Sequence, residues 1–445
     1  MSPPKFRVAI VGGGVGGITL AVALSKYPDI AVDIYERASQ FAEVGAGVSC
    51  WPRPFKVLKK LGLGDALLKK TPVPYIEDEY VNAMNFRRSD LEQGEYLFTL
   101  KSKGNNVQFH RADFLGVLVD NVSPSVKTHM SKRIVSYTQS TGNPSEPITL
   151  TFHDGSTATC DILVGADGVK STIRRGMMQD LSRDPDALKK CSAEEYLACI
   201  EPVFSGAVAY RTLIHADKIR AVDPNHRVLN GVWTCFGANK NVATYPISMG
   251  KIVNFAAFTV DKDLMADAFN PDPSHRQLFD GDWVRPASAK EFTEKFRGME
   301  KDIEVLLDLV EDGSIWAVHL VRNLPVQVHG HVALLGDAAH AMTPFQGSGA
   351  GQAVEDAYIL ATLLGHPRTT LATVSQALVV YDEVRRPFAI GVARGSQEVG
   401  RISGLQTGLP FSEIGEKITG INSWAWETEI DGAVKDAKRM FEERV

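Results

Sequence analysis

Phe6-Arg-Val-Ala-Ile-Val-Gly12-Gly-Gly14-Val-Gly-Gly17-Ile-Thr-Leu-Ala-Val-Ala-Leu24 reads as a buried strand, a glycine turn and a helix. Gly12, Gly14 and Gly17 fit the dinucleotide fingerprint G-x-G-x-x-G. The first glycine permits the tight turn, the second lets backbone approach a pyrophosphate, and the third lets the helix pack closely on the sheet. The phosphates then meet free N–H groups and the positive end of the helix dipole. A second strand, Val32-Asp-Ile-Tyr-Glu36, follows. Glu36 stands about 20 residues past the last glycine, where an acid grips the adenosine ribose.

The chain has 445 residues, 44% hydrophobic and 23% charged, with a net charge of −5. This is the profile of a soluble globular protein of two or three domains. No long basic run is present, so nothing points to nucleic acid or an anionic membrane. Residues 8–24 imitate a signal peptide, but their glycines match the nucleotide turn and no membrane span is expected. The five cysteines, Cys50, Cys160, Cys191, Cys199 and Cys235, are scattered. They imply a reducing, cytoplasmic setting and no metal site.

Further along, Gly45-Ala-Gly47-Val-Ser49 suggests a backbone lying close to something flat. Residues 55–68 have helical spacing, and 75–107 read as short strands and turns. A helix opens at His110-Arg111. Residues 134–137, 148–152 and 157–163 read as strands, with Pro144 and Pro147 in the loop between the first two. From about 186 to 320 strand-like runs dominate (206–214, 228–236, 242–247, 252–260), implying a mostly antiparallel domain inserted into the first. Residues 290–310 read as helix. Helices at about 352–364, 370–402, 411–418 and 430–443 finish the chain. The expected division is 1–75 with 107–185 and 321–400 as a discontinuous nucleotide-binding domain, 76–106 with 186–320 as a second domain, and 401–445 as a C-terminal helical segment.

Two more landmarks repeat the pattern of the first. Asp161-Ile-Leu-Val-Gly165-Ala-Asp167-Gly168 and Val332-Ala-Leu-Leu-Gly336-Asp337 are each an apolar strand ending in a turn with an acid. Ligands of open α/β sheets sit at that carboxyl edge. A nicotinamide nucleotide would not need three such turns, whereas an extended FAD could use all of them. No second G-x-G-x-x-G occurs, which disfavours reductases with two dinucleotide domains.

These landmarks resemble the single-component FAD-dependent aromatic hydroxylases (group A flavoprotein monooxygenases), with a pattern like that of fungal salicylate hydroxylase-like enzymes. The resemblance spans nearly the whole chain and is carried by Gly12–Gly17, Glu36, residues 43–49, His110-Arg111, residues 161–174, Ala209-Tyr-Arg211, Thr244-Tyr245-Pro, and Gly336-Asp337 through Gly349-Ala350-Gly351. It implies an α/β fold: a Rossmann-type FAD-binding domain with an inserted, mostly antiparallel β-sheet substrate domain (p-hydroxybenzoate hydroxylase-like) and C-terminal helices. In it Glu36 would hold the ribose, and Ser49 would pass near the flavin chain. Arg111 would reach the phosphate and ribityl region, and Asp337 the ribityl and pyrophosphate end. The Gly349-Ala350 backbone would face the flavin ring, and the Asp167-Gly168 turn is associated with both FAD and NAD(P)H.

The implied reaction uses bound FAD, transient NADH or NADPH, and O2 to hydroxylate a small phenolic aromatic acid or related phenol, with decarboxylation where a carboxylate occupies the attacked carbon. A free phenol of pKa about 10 needs a nearby cation to ionise. Arg211 and Tyr245, each in an apolar strand pattern, are where the resemblance puts that help. The bland alternative is a structural arginine and a core tyrosine. Two departures bear on salicylate as the substrate: Phe345 stands where many relatives carry a histidine, and Pro52-Arg53-Pro54 replaces Pro-Asn-Ala. Arg53 is expected to approach flavin or substrate, or to face water. His340 reads as structural. The rival functions are a flavin epoxidase or dearomatising hydroxylase of secondary metabolism, and a non-catalytic nucleotide-binding protein. A monomer or homodimer is expected.

Overall fold

Strand Phe6–Val11 lies inside a six-stranded sheet, and the helix after it, Val15–Leu24, is buried along nearly its whole surface. That helix has no polar face because it is sandwiched between the sheet and helix Gly349–Leu364. Fully buried side chains such as Ile18 and Leu20 each stabilise this layer by about 1.5–3 kcal/mol. The close approach needs glycine. A Cβ at Gly17 would stand 2.0 Å from the Gly12 carbonyl oxygen, and one at Gly12 2.2 Å from that of Ala166.

The computed structural model describes residues 3–41, 47–71, 73–139, 146–267, 269, 272 and 277–445. Its six-stranded sheet runs in the order Val328–His329, Val332–Leu334, Ile162–Gly165, Phe6–Val11, Ile30–Tyr35, Lys127–His129. All neighbours are parallel except the first pair. Register aligns the strand ends: Tyr35 opposes Val11, Val11 opposes Gly165, and Gly165 opposes Leu334. Glu36, Gly12, Ala166 and Leu335 therefore leave the sheet at one level. The three strand-to-turn landmarks, far apart in sequence, are neighbours along one edge.

An eight-stranded sheet draws on two stretches. Tyr80–Arg88 and Glu95–Lys103 form a hairpin at one end. The rest are Trp233–Gly237, Lys240–Ile247, Ile252–Val260, Val203–His215, Asp312–Leu320 and Val284–Ser288. Every pairing is antiparallel except that of Tyr80–Arg88 with Trp233–Gly237. Alternation sends Tyr210, Phe255 and Ala257 into a core covered by helices Ala289–Phe296 and Lys301–Asp308. The opposite face turns toward the carboxyl edge of the first sheet. The fold is thus a Rossmann-type α/β unit with an inserted antiparallel sheet, closed by helices Val374–Ser403, Phe411–Asn422, Trp424–Glu427 and Ile430–Glu442.

Several expected boundaries are corrected. The run 157–163 is two strands in two sheets, Thr157–Cys160 and Ile162–Gly165. They break at Asp161, whose carboxylate accepts from the N–H and guanidinium of Arg7. Residues 290–310 are two helices, because Glu300 is drawn out to pair with Arg87 at 2.9 Å and Ser89 at 2.6 Å. Residues 75–107 hold two nine-residue strands, disguised by charges on half-exposed faces. The run 228–236 opens as a 3-10 turn, Arg227–Leu229, and becomes strand at Trp233. Glu43, Gly45, Ala46 and Pro144 lie outside the described residues.

Candidate active site

The nucleotide edge is built from backbone. Gly14 caps Val15–Leu24 without a side-chain bond, so the helix start keeps free N–H donors. Glu36 accepts from the N–H of Gly13 at 2.7 Å and of Ala38 at 2.8 Å, which fixes its carboxylate beside the glycine turn. Gly17 packs on Gly12 and serves the turn, not the edge. Asp337 is exposed in the first turn of helix Asp337–His340, just past the aligned strand end.

A second group closes over this edge. Strand Gly47–Cys50 pairs antiparallel with Val107–His110, so Gly47 opposes His110 and lies beside Arg111. The Ser49 hydroxyl donates to the Gly347 carbonyl at 3.2 Å, bringing it to the loop that precedes Gly349 and Ala350. Helix Gly349–Leu364 also begins without a side-chain cap bond, since the Ser348 hydroxyl donates backwards to Gln346. Gly47 touches the inserted sheet: a Cβ there would stand 2.4 Å from the Tyr245 ring. Its N–H donates to Asn254 Oδ1 at 3.0 Å.

On the inserted sheet, Arg211 opposes Ala256, and Ala256 opposes Ala243. Tyr245 opposes Asn254. Alternation puts Ala209, Arg211, Ala243, Tyr245, Asn254, Ala256, Phe258 and Trp316 on one face. Among the described residues the Arg211 side chain has no hydrogen bond or ion pair; its guanidinium carbon stands 5.6 Å from the Trp316 ring centre. Burial pushes its pKa down, opposed by Tyr245 and reinforced by Arg111. Burial raises the Tyr245 phenol above 10, with both arginines opposing. Arg111, Arg211 and Tyr245 therefore share one electrostatic field. The positions on this face next to Arg211 and Tyr245 (Ala209, Ala243, Asn254, Ala256, Ser314 and Trp316) carry no histidine or carboxylate; His215 and Asp312 share the face only at its exposed strand ends.

Asp167 stands at the edge, but its carboxylate points into helix Thr172–Leu181. It accepts from Ser171 Oγ at 2.5 Å, Thr172 N at 2.7 Å and Ile173 N at 3.2 Å. Burial raises its pKa, and those bonds oppose the rise. Arg174, fully buried, donates to the carbonyls of Val169, Cys199, Ile200 and Ala338, tying this turn to the Gly336-Asp337 turn. Beside them lies a cavity of about 270 Å³ lined by Lys170, Ser171, Arg175, Ile200, Glu201 and Trp283. Lys170 Nζ sits 3.8 Å from the centre of the Trp283 ring.

Neither expectation for Arg53 holds. It is 4% exposed and pairs with Glu355 at 3.2 Å. Glu355 also receives Arg385 at 2.8 Å. Asp356 accepts from Arg385 Nε at 2.8 Å, His340 Nε2 at 2.6 Å and Gly336 N at 3.0 Å. This buried network, missed in the sequence, fixes the Gly336-Asp337 turn from behind. Two adjacent acids inside an apolar helix, Glu355-Asp356, were its available signal.

The donor set fits an extended FAD. Two helix starts with unused N–H groups face an edge flanked by Glu36, Arg111 and Asp337, and the backbone from Gly47 to Ser49 has small residues where it passes Gly347.

The family model described as "FAD binding domain" matches residues 5–189 and 286–396. Salicylate hydroxylase from Pseudomonas putida is 35% identical, covering 98% of this chain and 94% of that protein. An FAD-dependent monooxygenase from Strobilurus tenacellus is 33% identical over 99% of each chain. The solved structure of a salicylate hydroxylase substrate complex superimposes with a TM-score of 0.80 at 30% identity, covering 98% of both chains.

Proposed function

The chain belongs to the salicylate hydroxylase-like FAD-dependent monooxygenases, and from that premise we propose that it hydroxylates a small phenolic aromatic acid, with loss of CO2 when the carboxylate occupies the attacked carbon. FAD, reduced by NAD(P)H, supplies the activation of O2 when bound. Glu36 holds the ribose, Arg111 and Asp337 the phosphate and ribityl stretch, and the Gly349-Ala350 backbone faces the ring.

One observation carries the substrate reading. The Arg211 side chain is half-buried and has no ion pair among the described residues, on an apolar face beside Tyr245. A partly desolvated cation gains from an anionic partner, and a phenolate or carboxylate supplies one. Arg211 favours the ionised phenol, and Tyr245, kept neutral by its raised pKa, donates a hydrogen bond to the same oxygen. Ala209, Ala243 and Ala256 leave room for a flat ring, and Phe258 and Trp316 keep water away. With no base at the strand positions next to Arg211 and Tyr245, the phenol proton leaves to solvent before the chamber closes.

Part of the nicotinamide nucleotide docks at the cavity of Lys170, Arg175 and Trp283, whose cations suit a phosphate, although Arg175 is paired with Glu201 and the Trp283 ring lies between Lys170 and His319. The proposed domain division is supported by the eight-stranded sheet, which draws only on 80–103 and 203–320. No helix among the described residues is long and apolar enough to cross a membrane. Five free cysteines support a cytoplasmic setting, and we read the protein as a monomer or homodimer.

The test is a panel of phenolic acids, aldehydes and non-aromatic olefins, scored for substrate-stimulated NAD(P)H oxidation and product mass. Hydroxylated phenolic acids are expected. Turnover of olefins alone would move the protein to the epoxidases.

A further inference from the structure

Phe345 is wedged between a helix and the substrate face. On one side its ring meets Phe258 edge-on, with centroids 5.0 Å apart, and packs with the cluster holding Ala209, Ala256 and Trp316. On the other it lies on Gly400 of helix Val374–Ser403, where a Cβ would stand 2.3 Å from the ring. A glycine inside a helix is unfavourable, so its place here calls for a packing reason.

The loop carrying Phe345 cannot withdraw. Ser396, one helical turn before Gly400, accepts from Thr343 Oγ1 at 3.1 Å and Gln346 N at 3.3 Å, and donates to the Thr343 carbonyl at 2.6 Å. The Gln346 carbonyl accepts from Trp51 Nε1 at 2.8 Å. Both flanks of the ring are thus fastened to the helix that bears Gly400. That helix is held in turn by the buried Arg385 pairs and by Tyr381, which donates to Leu334 O at 2.9 Å. A methyl at 400 leaves one way out. Phe258 blocks direct retreat, so the ring must swing along the sheet over Ala209 and Ala256, toward Arg211.

Resting on the reading that this face receives a phenolic ring, we propose that Gly400 is a specificity-determining residue. By carrying no side chain it lets Phe345 seat back against the helix, and so sets how far the chamber extends from Arg211. The chamber then admits phenolic acids whose ring is fused or substituted on the side facing the Pro344 loop.

The experiment uses the FAD-loaded wild type, Gly400→Ala, Phe345→Ala and the double variant. 2-Hydroxybenzoate and 1-hydroxy-2-naphthoate are titrated against flavin absorbance, and a crystal structure of Gly400→Ala is determined. Alanine favours the helix, so the variant is expected to fold. Its ring should move toward Ala256. Its Kd for the naphthoate should rise about tenfold more than that for the benzoate, and the double variant should bind like Phe345→Ala, since the two changes act through one ring. An unmoved ring with a shifted helix, or equal loss for both acids, overturns the role of Gly400. Wild type that binds neither acid overturns the chamber reading instead, while the ring position in the variant still decides the lever.

Discussion

Replacing Arg211 with glutamine removes the cation that the substrate oxygen would face. A unit charge about 4 Å from a phenolate, at an effective dielectric near 20, is worth about 4 kcal/mol. That equals roughly three pKa units and brings a phenol from about 10 to about 7. In Arg211→Gln only about one molecule in a thousand would be ionised at pH 7, so kcat/KM should fall about 1000-fold. The deficit should close about tenfold per pH unit up to about pH 10, as solution ionisation replaces the lost charge. Tyr245 does not confuse the profile, because its phenol is held above 10. FAD content should not change, since Arg211 stands on the inserted sheet and not on the nucleotide edge. The assay is substrate-stimulated NAD(P)H oxidation with product mass, from pH 7 to 10. Full product formation at pH 7 would refute the reasoning, as would a deficit that does not respond to pH.

Arg53→Gln should lower holoprotein stability by about 3–5 kcal/mol, since it leaves Glu355 short of a buried partner; denaturant unfolding reads this, and substrate KM should stay put. Lys170→Ala should raise KM for NAD(P)H several-fold without altering substrate-binding titrations; steady-state kinetics with each ligand varied will tell. Burial holds His319 near pKa 4, with Lys170 adding to the depression. The unfolded value is about 6.5, so its contribution is complete above that pH and is lost as pH falls toward 4. Thermal midpoints should therefore decline across that window, and His319→Gln should flatten the decline. Gly17→Ala should abolish soluble FAD-binding protein, because its Cβ would stand 2.0 Å from the Gly12 carbonyl oxygen.

The nucleotide edge was legible because its chemistry is local: Gly12, Gly14 and Gly17 act within one turn, and Glu36 follows at the end of the next strand. Arg211 and Tyr245 could be singled out as polar residues in apolar strands, but their shared face depends on a register that neighbouring sequence does not encode. Arg53 was misread because its partner lies about 300 residues away on helix Gly349–Leu364, and burial there converts a polar side chain into a structural tie. The break at Asp161 was hidden for a similar reason: its partner, Arg7, comes from the first strand. Gly400 gives no sign in sequence; only the ring resting on it explains it.

The account stands on distant segments meeting around one flavin whose ring adjoins the Arg211 face. A crystal structure of the protein with FAD and 2-hydroxybenzoate tests this most directly. The prediction is adenosine ribose on Glu36, the flavin ring beside Gly349-Ala350, and a substrate oxygen within about 3.2 Å of the Arg211 guanidinium. A flavin or a benzoate lodged away from these residues would contradict it.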